Sequence, residues 1–434
     1  MNTSKPNSRP KLQAVRGFRD YFAEQMQLFR SVEERLRQIV TAYGFEEIVT
    51  PVLEPAALFE HNLGEATDLV TKEMYVFEDR GGDRLVLRPE GTASCVRAGL
   101  ESGKFYNQKV KWFYLEPMFR HERPQRGRYR QFYQFGLELF NYLDVAIDAE
   151  LLQLTSQLLA ALPLKAQPIL KLNSLGDAAT RLKYRQELTE FFNKNLNLLT
   201  EQERSTLAVN PLRLLDSKRE ELKTIVNEAP SILDALSLEA AKRWERLQLL
   251  LHDLAIPFEV DSHLVRGLDY YNDMVFEWTA SLGGSELAIG GGGRYDQLIS
   301  NNGGASTPAV GFAFGFERLL ELVDDVKLTK MAAHKLKIFG IALDIAAQPI
   351  LMKLAAKLRA EDSYIVEMDH SLSDLKKQLK RANAWGAQVA IIIGENELNK
   401  GCCLVKNLVT GEQQETANID RLKTWLSQLH QSKN

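Results

Sequence analysis

A short cationic stretch holds the densest group of chemically capable side chains in this sequence. Five arginines lie between positions 120 and 130, with Glu122 the single acidic residue among them: Arg120, Arg123, Arg126, Arg128 and Arg130. Guanidinium groups offer fixed forks of N–H donors that suit phosphate and carboxylate oxygens. Tyr129, Phe132 and Tyr133 are interleaved with them, which favours a polyphosphate or nucleic-acid site. The alternative is a solvated hairpin tip, where lysine would serve equally well.

Two apolar, β-prone runs must position this stretch. Residues 110–119 precede it, residues 132–140 follow it, and Pro124 and Gly127 are typical of the loop between. A second hairpin is predicted where residues 74–79 and 84–87 flank Gly81 and Gly82. It leads to Arg88-Pro89-Glu90-Gly91-Thr92 at a strand end, where sheet proteins commonly place binding groups.

Glycine-rich strands form the third candidate region. Residues 290–293 are four consecutive glycines with strand patterns on both sides, which predicts close backbone approach to a ligand. A flexible tip is the alternative. Residues 311–316 alternate glycine or alanine with phenylalanine, and Arg318 begins the next predicted helix.

Composition narrows the class of protein. The chain has 434 residues, 45% hydrophobic and 26% charged, as is ordinary for globular proteins. A net charge of -3 excludes a global basic field, so any nucleic-acid contact must be local. Three unpaired cysteines fit a reducing compartment. The N-terminus lacks a signal-peptide pattern, and no apolar run could span a membrane, so we expect a cytoplasmic protein.

The periodicity predicts two domains. Residues 1–330 read as an α+β unit with a mainly antiparallel sheet, interrupted at about 177–254 by a helical insertion. This insertion, which includes Asn210-Pro211-Leu212-Arg213, shows no chemical motif and is interpreted as a lid or spacer. Residues 331–434 alternate strand and helix, which predicts an α/β domain with a largely parallel sheet.

These segments together resemble the class II aminoacyl-tRNA synthetases. The predicted helix at 25–43 and the strand leading to Pro51 resemble motif 1, the dimer seam, while residues 119–138 and 311–318 resemble motifs 2 and 3. Within the class, residues 264–271 (Leu-Val-Arg-Gly-Leu-Asp-Tyr-Tyr) and 292–296 (Gly-Gly-Arg-Tyr-Asp) resemble the two signatures of the histidyl-tRNA synthetase family. The resemblance covers nearly the whole chain. One difference is visible, since relatives tend to carry bulkier residues than Gly290 and Gly291.

The resemblance implies the reaction and its ATP site. ATP would activate L-histidine to histidyl-adenylate, and the histidyl group would pass to the 3′ end of tRNA(His). Arg120 and Arg266 are implied as catalytic cations near the α-phosphate. The implied ATP-binding residues are Arg120, Glu122, Arg128, Phe132 and Arg318, with Mg²⁺ bridging the β- and γ-phosphates. No dedicated protein metal site is expected.

The resemblance also implies an amino-acid pocket and its partners. The implied histidine-binding residues are Glu90, Thr92, Gln134, Glu138, Arg266, Tyr270, Tyr271 and Tyr295. Glu138 and Tyr271 would read the two imidazole nitrogens. Arg123 and Gln125 would face the tRNA acceptor end, the terminal domain would bind the anticodon loop, and the chain would form a homodimer.

Two alternatives stay open at this stage. One is a catalytically inactive synthetase paralogue that acts as a regulatory subunit of histidine biosynthesis, although such proteins typically lack the terminal domain. The other is a class II synthetase for threonine, proline or glycine, against which residues 266–271 argue.

Overall fold

A computed structural model describes residues 12–63, 67, 69–125, 127–217, 219–331, 335–361, 363–417 and 419–431. The chain divides into two compact units between Thr329 and Lys330. Among the described residues, no helix combines the length and apolar character needed to cross a bilayer.

The first unit contains eleven strands among its described residues. They are β1 Glu46–Glu47, β2 Leu53–Pro55, β3 Tyr75–Glu78, β4 Arg84–Leu87, β5 Val110–Phe119, β6 Gln131–Phe140, β7 Ile169–Ser174, β8 Glu259–Val260, β9 Asn272–Leu282, β10 Ser285–Arg294 and β11 Ala309–Gly315. Eight form one sheet in the order β1-β5-β6-β11-β10-β9-β7-β8, and β2-β4-β3 form a small antiparallel sheet. Only the outer pairs β1·β5 and β7·β8 of the large sheet are parallel, so the predicted mainly antiparallel sheet is confirmed.

Helices pack around this sheet. They are α1 Ala23–Ala42, α2 Ala56–Leu63, α3 Thr92–Glu101, α4 Val145–Ala160, α5 Ala178–Lys194, α6 Glu201–Val209, α7 Glu220–Val226, α8 Leu238–Asp253, α9 Leu298–Asn301, α10 Phe316–Leu322 and α11 Asp325–Met331. The helix α1 buries the apolar stripe Phe29, Val32, Leu36 and Val40, as the periodicity predicts. This apolar stripe of α1 packs into the main hydrophobic core, which also contains the apolar side chains of β6 and β11.

The helical insertion has a core of its own. Residues between 175 and 235 form it, including Tyr184, Leu188 and Phe192 of α5. In contrast, Trp244, Leu247 and Leu251 of α8 belong to the main core, together with residues of α4. The separate insertion therefore ends before α8, earlier than the helical pattern of the sequence suggests.

Alternation along β6 determines which face of the large sheet stays open. Phe135, Leu137 and Leu139 point into the main core, so Gln134 and Glu138 point to the opposite face. In the β6·β11 register, Gln134 lies opposite Gly315 and Glu138 lies opposite Gly311. These glycines leave open space above the sheet beside two polar side chains.

The second unit is a five-stranded sheet with four helices. Its elements are β12 Leu336–Ala342, α12 Ala347–Arg359, β13 Tyr364–Asp369, α13 Leu375–Trp385, β14 Val389–Ile393, α14 Glu395–Lys400, β15 Cys403–Asn407, β16 Gln413–Thr416 and α15 Ile419–Gln431. The order is β13-β12-β14-β15-β16. The first three strands are parallel, as the βαβ pattern predicts, whereas β15 and β16 add an antiparallel hairpin. Three of the five strands therefore form the predicted parallel sheet, and the other two extend it antiparallel.

Candidate active site

A cavity of about 1030 Å³ opens on the polar face of the large sheet. It brings together most of the predicted site residues. Those that line it are Glu90, Thr92, Arg120, Glu122, Arg128, Phe132, Gln134, Arg266, Tyr270, Tyr271, Tyr295 and Arg318. The positions come from five distant stretches of sequence, so only the fold of the sheet could bring them to one place.

Cationic side chains surround one end of the cavity. The Nε of Arg120 donates to the Pro89 carbonyl (2.8 Å), which places its guanidinium within 5.2 Å of the Phe132 ring. Arg128 lies 3.5 Å from Glu122. Arg318 donates to the carbonyls of Gly127 (3.2 Å) and Ala288 (2.8 Å). Three arginines with little counter-charge between them make this end a site for an anion.

The pKa of Arg318 reflects burial and several neighbouring charges. Burial lowers the pKa of its guanidinium most, the charges of Arg128 and Arg120 lower it further, and those of Glu122 and Glu277 raise it. An anion bound here would reverse the effect, because it would favour the charged guanidinium. Glu317, the residue before, anchors the start of α10 by accepting from the Tyr133 amide (2.9 Å).

Arg266 approaches from the loop before β9 and forms an ion pair with Glu277 of that strand. Its Nε is buried and has no hydrogen-bond partner among the residues that the structure describes. A Cβ at Gly291 would lie 2.7 Å from the Arg266 Nη1, so this glycine provides space for the guanidinium. The sequence predicts that the glycine run approaches a ligand, but at this position the group it approaches is Arg266.

A buried acidic pocket forms the other end of the cavity. Glu90 accepts hydrogen bonds from the amides of Thr92 (2.7 Å) and Ala93 (2.9 Å), which fixes its carboxylate at the start of α3. Burial raises the pKa of Glu90, although these amides and Arg120 oppose the shift. Gln134 lines the same wall, and its Oε1 is buried without a partner. An ammonium group could satisfy both acceptors.

Glu138 lies one layer behind the cavity wall. Its Oε1 accepts from Thr92 (2.8 Å) and Tyr114 (3.3 Å), and its Oε2 accepts from Tyr295. Burial raises the pKa of Glu138 to about 8. A Cβ on Gly311, which lines the cavity, would lie 2.3 Å from Oε2, so only a glycine at this position leaves room for the carboxylate. Because a carboxylate oxygen can accept two hydrogen bonds, Oε2 has room for one more donor.

Three tyrosines complete this pocket. The ring centroids of Tyr270 and Tyr295 are 5.5 Å apart, and those of Tyr271 and Tyr295 are 6.4 Å apart. Tyr295 therefore links Tyr271 to Glu138, and the predicted acid and phenol lie around one pocket. Burial, and then the charge of Glu138, raises the pKa of Tyr295, which keeps this phenol a hydrogen-bond donor at neutral pH.

The residues of the cationic loop have different surroundings. Arg120 and Arg128 line the cavity, whereas Arg123 and Gln125 are exposed at the hairpin tip and do not line it. The Arg130 backbone amide donates to the Gly17 carbonyl (2.9 Å), and its side chain packs against Gly17. Arg126 lies outside the described residues. Of the four described arginines of this stretch, two therefore line the cavity, one faces solvent and one supports the fold.

Cavity residues absent from the sequence-based predictions include Glu277, a group from the helical insertion, and a group made of Thr67, Leu69, Thr71, Lys72 and Glu73. Glu277 could have been found, because it is a charged residue between the buried apolar residues Phe276 and Trp278. The group from the insertion carries no local signal. Its members include Thr200, Gln202, Glu203, Thr206, Arg213, Asp216, Ser217 and Arg219. In the described part of the chain, no cluster of three or more His, Cys, Asp or Glu side chains could hold a metal ion.

Comparisons with known proteins identify the family to which the chain is similar. A family model described as histidyl-tRNA synthetase matches residues 17–319, and one described as anticodon binding domain matches residues 337–429. The solved apo histidyl-tRNA synthetase of S. aureus is 32% identical, with a TM-score of 0.79 over 96% of this chain and 99% of that chain.

Two further solved structures share the fold at lower identity. The histidyl-tRNA synthetase of Nostoc sp. is 20% identical, with a TM-score of 0.66 over 98% of this chain and 99% of that chain. A Bacillus halodurans protein described as an ATP phosphoribosyltransferase regulatory subunit/histidyl-tRNA synthetase is also 20% identical, with a TM-score of 0.64 over 89% and 99%.

Proposed function

We propose that this chain, which belongs to the histidyl-tRNA synthetase family, is an active histidine–tRNA ligase. In the first step, the carboxylate of L-histidine attacks the α-phosphate of ATP, giving histidyl-adenylate and pyrophosphate. In the second, the terminal ribose of tRNA(His) attacks the adenylate carbonyl and AMP leaves.

One observation carries the proposal. Arg120, Arg266 and Arg318 come from three distant segments, yet they line a single cavity with the pocket of Glu138 and its tyrosines. A triphosphate would neutralise the arginines, and an imidazole would bind in the acidic pocket. Gln134 Oε1 and Arg266 Nε are buried and have no hydrogen-bond partner among the described residues, so they are candidate partners for a polar ligand.

The arginines would act on the first step through charge. Negative charge develops at phosphorus as the carboxylate attacks, and fixed cations stabilise it without reorganisation. Arg120 and Arg266 are assigned to the reacting α-phosphate, while Arg318 and Arg128 are assigned to the departing pyrophosphate. Phe132 and Glu122 are assigned to adenine.

Mg²⁺ fits this site because it commonly binds one or two carboxylates together with substrate phosphates. Glu277 is a carboxylate on the cavity wall. It would help to hold the ion beside the substrate phosphates, and the ion would supply charge that neutralises them.

The acidic end would select histidine. Glu90, Thr92 and Gln134 are assigned to the ammonium group, and Glu138 with Tyr270, Tyr271 and Tyr295 to the imidazole. A pocket built from buried polar groups strongly rejects an apolar analogue, because those groups would be left unpaired. This is the physical basis for the proposed specificity.

The remaining assignments concern macromolecules. Exposed Arg123 and Gln125 would contact the tRNA acceptor end, and the second unit would bind the anticodon loop. We also propose a cytoplasmic homodimer joined near the edge strand β1. Val49, Val52 and Leu53 are exposed apolar residues close to that edge (75%, 38% and 45%), as expected of a surface covered by a second copy. Sedimentation of the pure protein as a monomer at micromolar concentration would contradict the dimer.

Pyrophosphate exchange into ATP tests the enzymatic proposal. We expect exchange that depends on L-histidine and is absent with threonine, proline or glycine, followed by charging of tRNA(His). Exchange with proline but not histidine would refute the specificity. A folded protein without any exchange would favour the inactive regulatory paralogue.

A further inference from the structure

The loop of residues 264–271 carries Arg266, Tyr270 and Tyr271, yet it has no regular secondary structure of its own. Such a loop needs external contacts to hold its side chains in position. Several of those contacts come from the helical insertion. Val265 and Tyr271 pack against the insertion core, and Arg181 of α5 donates to the Tyr271 carbonyl (3.2 Å).

The most specific of these contacts is a charged one. Arg213 binds both carboxylate oxygens of Asp269, with Nη2–Oδ2 at 2.5 Å and Nε–Oδ1 at 3.3 Å. Asn210 adds a donor to Oδ1 at 3.4 Å. Asn210 ends α6, and Arg213 lies in the 3-10 turn Pro211–Asp216 that follows it. Asp269 immediately precedes the two tyrosines of the proposed histidine pocket.

We propose that this turn of the insertion positions the amino-acid pocket: by holding Asp269 it fixes the 264–271 loop, and so it sets the affinity for the amino acid. The inference rests on the proposed function, because it names what the insertion does for that site. Arg213 and Asp269 act here as positioning residues through Tyr270 and Tyr271.

The geometry of the pair gives a graded set of variants. Both side chains are partly exposed (22% and 34%), so the pair is worth no more than a surface ion pair. We expect Arg213→Met and Asp269→Asn each to raise KM for histidine about fivefold, which corresponds to ~1 kcal/mol. Arg213→Lys keeps the positive charge but cannot bind both carboxylate oxygens as the guanidinium does. Its KM for histidine should therefore lie between those of the wild type and Arg213→Met.

Three readouts separate positioning from a general structural effect. KM for ATP should change less than about twofold, since Arg318, Arg128 and Phe132, which are assigned to ATP, lie outside this loop. The double variant Arg213→Met/Asp269→Asn should be no worse than either single variant, because both remove one interaction. Arg204→Met is the matched control: Arg204 binds the Leu196 carbonyl within the insertion (2.8 Å), and its loss should leave KM for histidine unchanged.

Amide hydrogen exchange over residues 264–271 tests the inference independently of catalysis. We expect faster exchange in Arg213→Met than in the wild type, and no change in Arg204→Met. Unchanged loop protection, an unchanged KM for histidine, or an equal rise in KM for ATP would overturn the inference. If the wild type showed no histidine-dependent pyrophosphate exchange, the proposed function would be refuted. Protection of the loop amides would still decide the role of the turn.

Discussion

The buried carboxyl group of Glu138 leads to a prediction about pH. Burial raises its pKa to about 8, so at neutral pH most empty pockets hold the protonated form. In the proposed site, Glu138 accepts an imidazole N–H through Oε2 while three hydroxyl groups already donate to its two oxygens, so the carboxylate is the form that fits. Histidine would therefore bind only the ionised fraction, and its affinity should rise as the pH approaches the pKa of Glu138.

The size of the effect follows from that pKa. With a pKa of about 8, the ionised fraction is about 3% at pH 6.5 and about 75% at pH 8.5, so the apparent affinity should rise about 25-fold across this range. Glu138→Gln retains the shape and an acceptor oxygen but does not titrate. Any pH dependence from the imidazole of free histidine is common to both proteins and cancels in their ratio.

Calorimetric titration with L-histidine measures this ratio directly. Titrations at neutral pH in two buffers with different ionisation enthalpies should also show about one proton released per histidine bound by the wild type. The Glu138→Gln variant should release about one proton fewer per histidine bound than the wild type. A wild-type to variant affinity ratio that is constant between pH 6.5 and pH 8.5 would refute the reasoning, and a ratio that rises as the pH falls would show that the protonated acid is the binding form.

Three further predictions concern other parts of the account. Arg266→Ala should lower kcat of pyrophosphate exchange by about 10²–10³-fold and leave tRNA binding intact; wild-type exchange rates would remove its assigned role. Gly291→Ala would place a Cβ 2.7 Å from the Arg266 Nη1 and 2.5 Å from the Phe276 carbonyl oxygen, so exchange should fall although no reacting group is removed; full activity would contradict the tight packing. Deletion of residues 330–434 should reduce tRNA charging far more than exchange, whereas equal losses would contradict a separate tRNA-binding unit.

Periodicity and turn residues were sufficient to predict most of the fold. The β5–β6 hairpin was found because two apolar runs flank a polar loop with Pro124 and Gly127. The parallel strands of the second unit were found because strand and helix patterns alternate. The antiparallel hairpin of β15 and β16 gave a weaker signal, since its strands are short and β16 is largely exposed.

The candidate site was harder to predict in detail than in outline. Residue types indicated an anion site near Arg120 and Arg128, but not which arginines would face the cavity. Arg130 serves the fold because Gly17, far away in sequence, packs against it. The contribution of the insertion could not be predicted from the sequence either. The proposed role of Arg213 depends on its contact with Asp269, which is distant in sequence. Long-range contacts of this kind leave no periodic pattern in a single sequence.

The central claim is that an imidazole pocket and a nucleotide site form one continuous cavity, and a ligand that spans both tests it most directly. A non-hydrolysable sulfamoyl analogue of histidyl-adenylate should bind by calorimetry at least ~10³-fold more tightly than L-histidine. Both Arg266→Ala and Glu138→Gln should weaken it. An analogue that binds no better than histidine, or that is indifferent to both substitutions, would contradict the account.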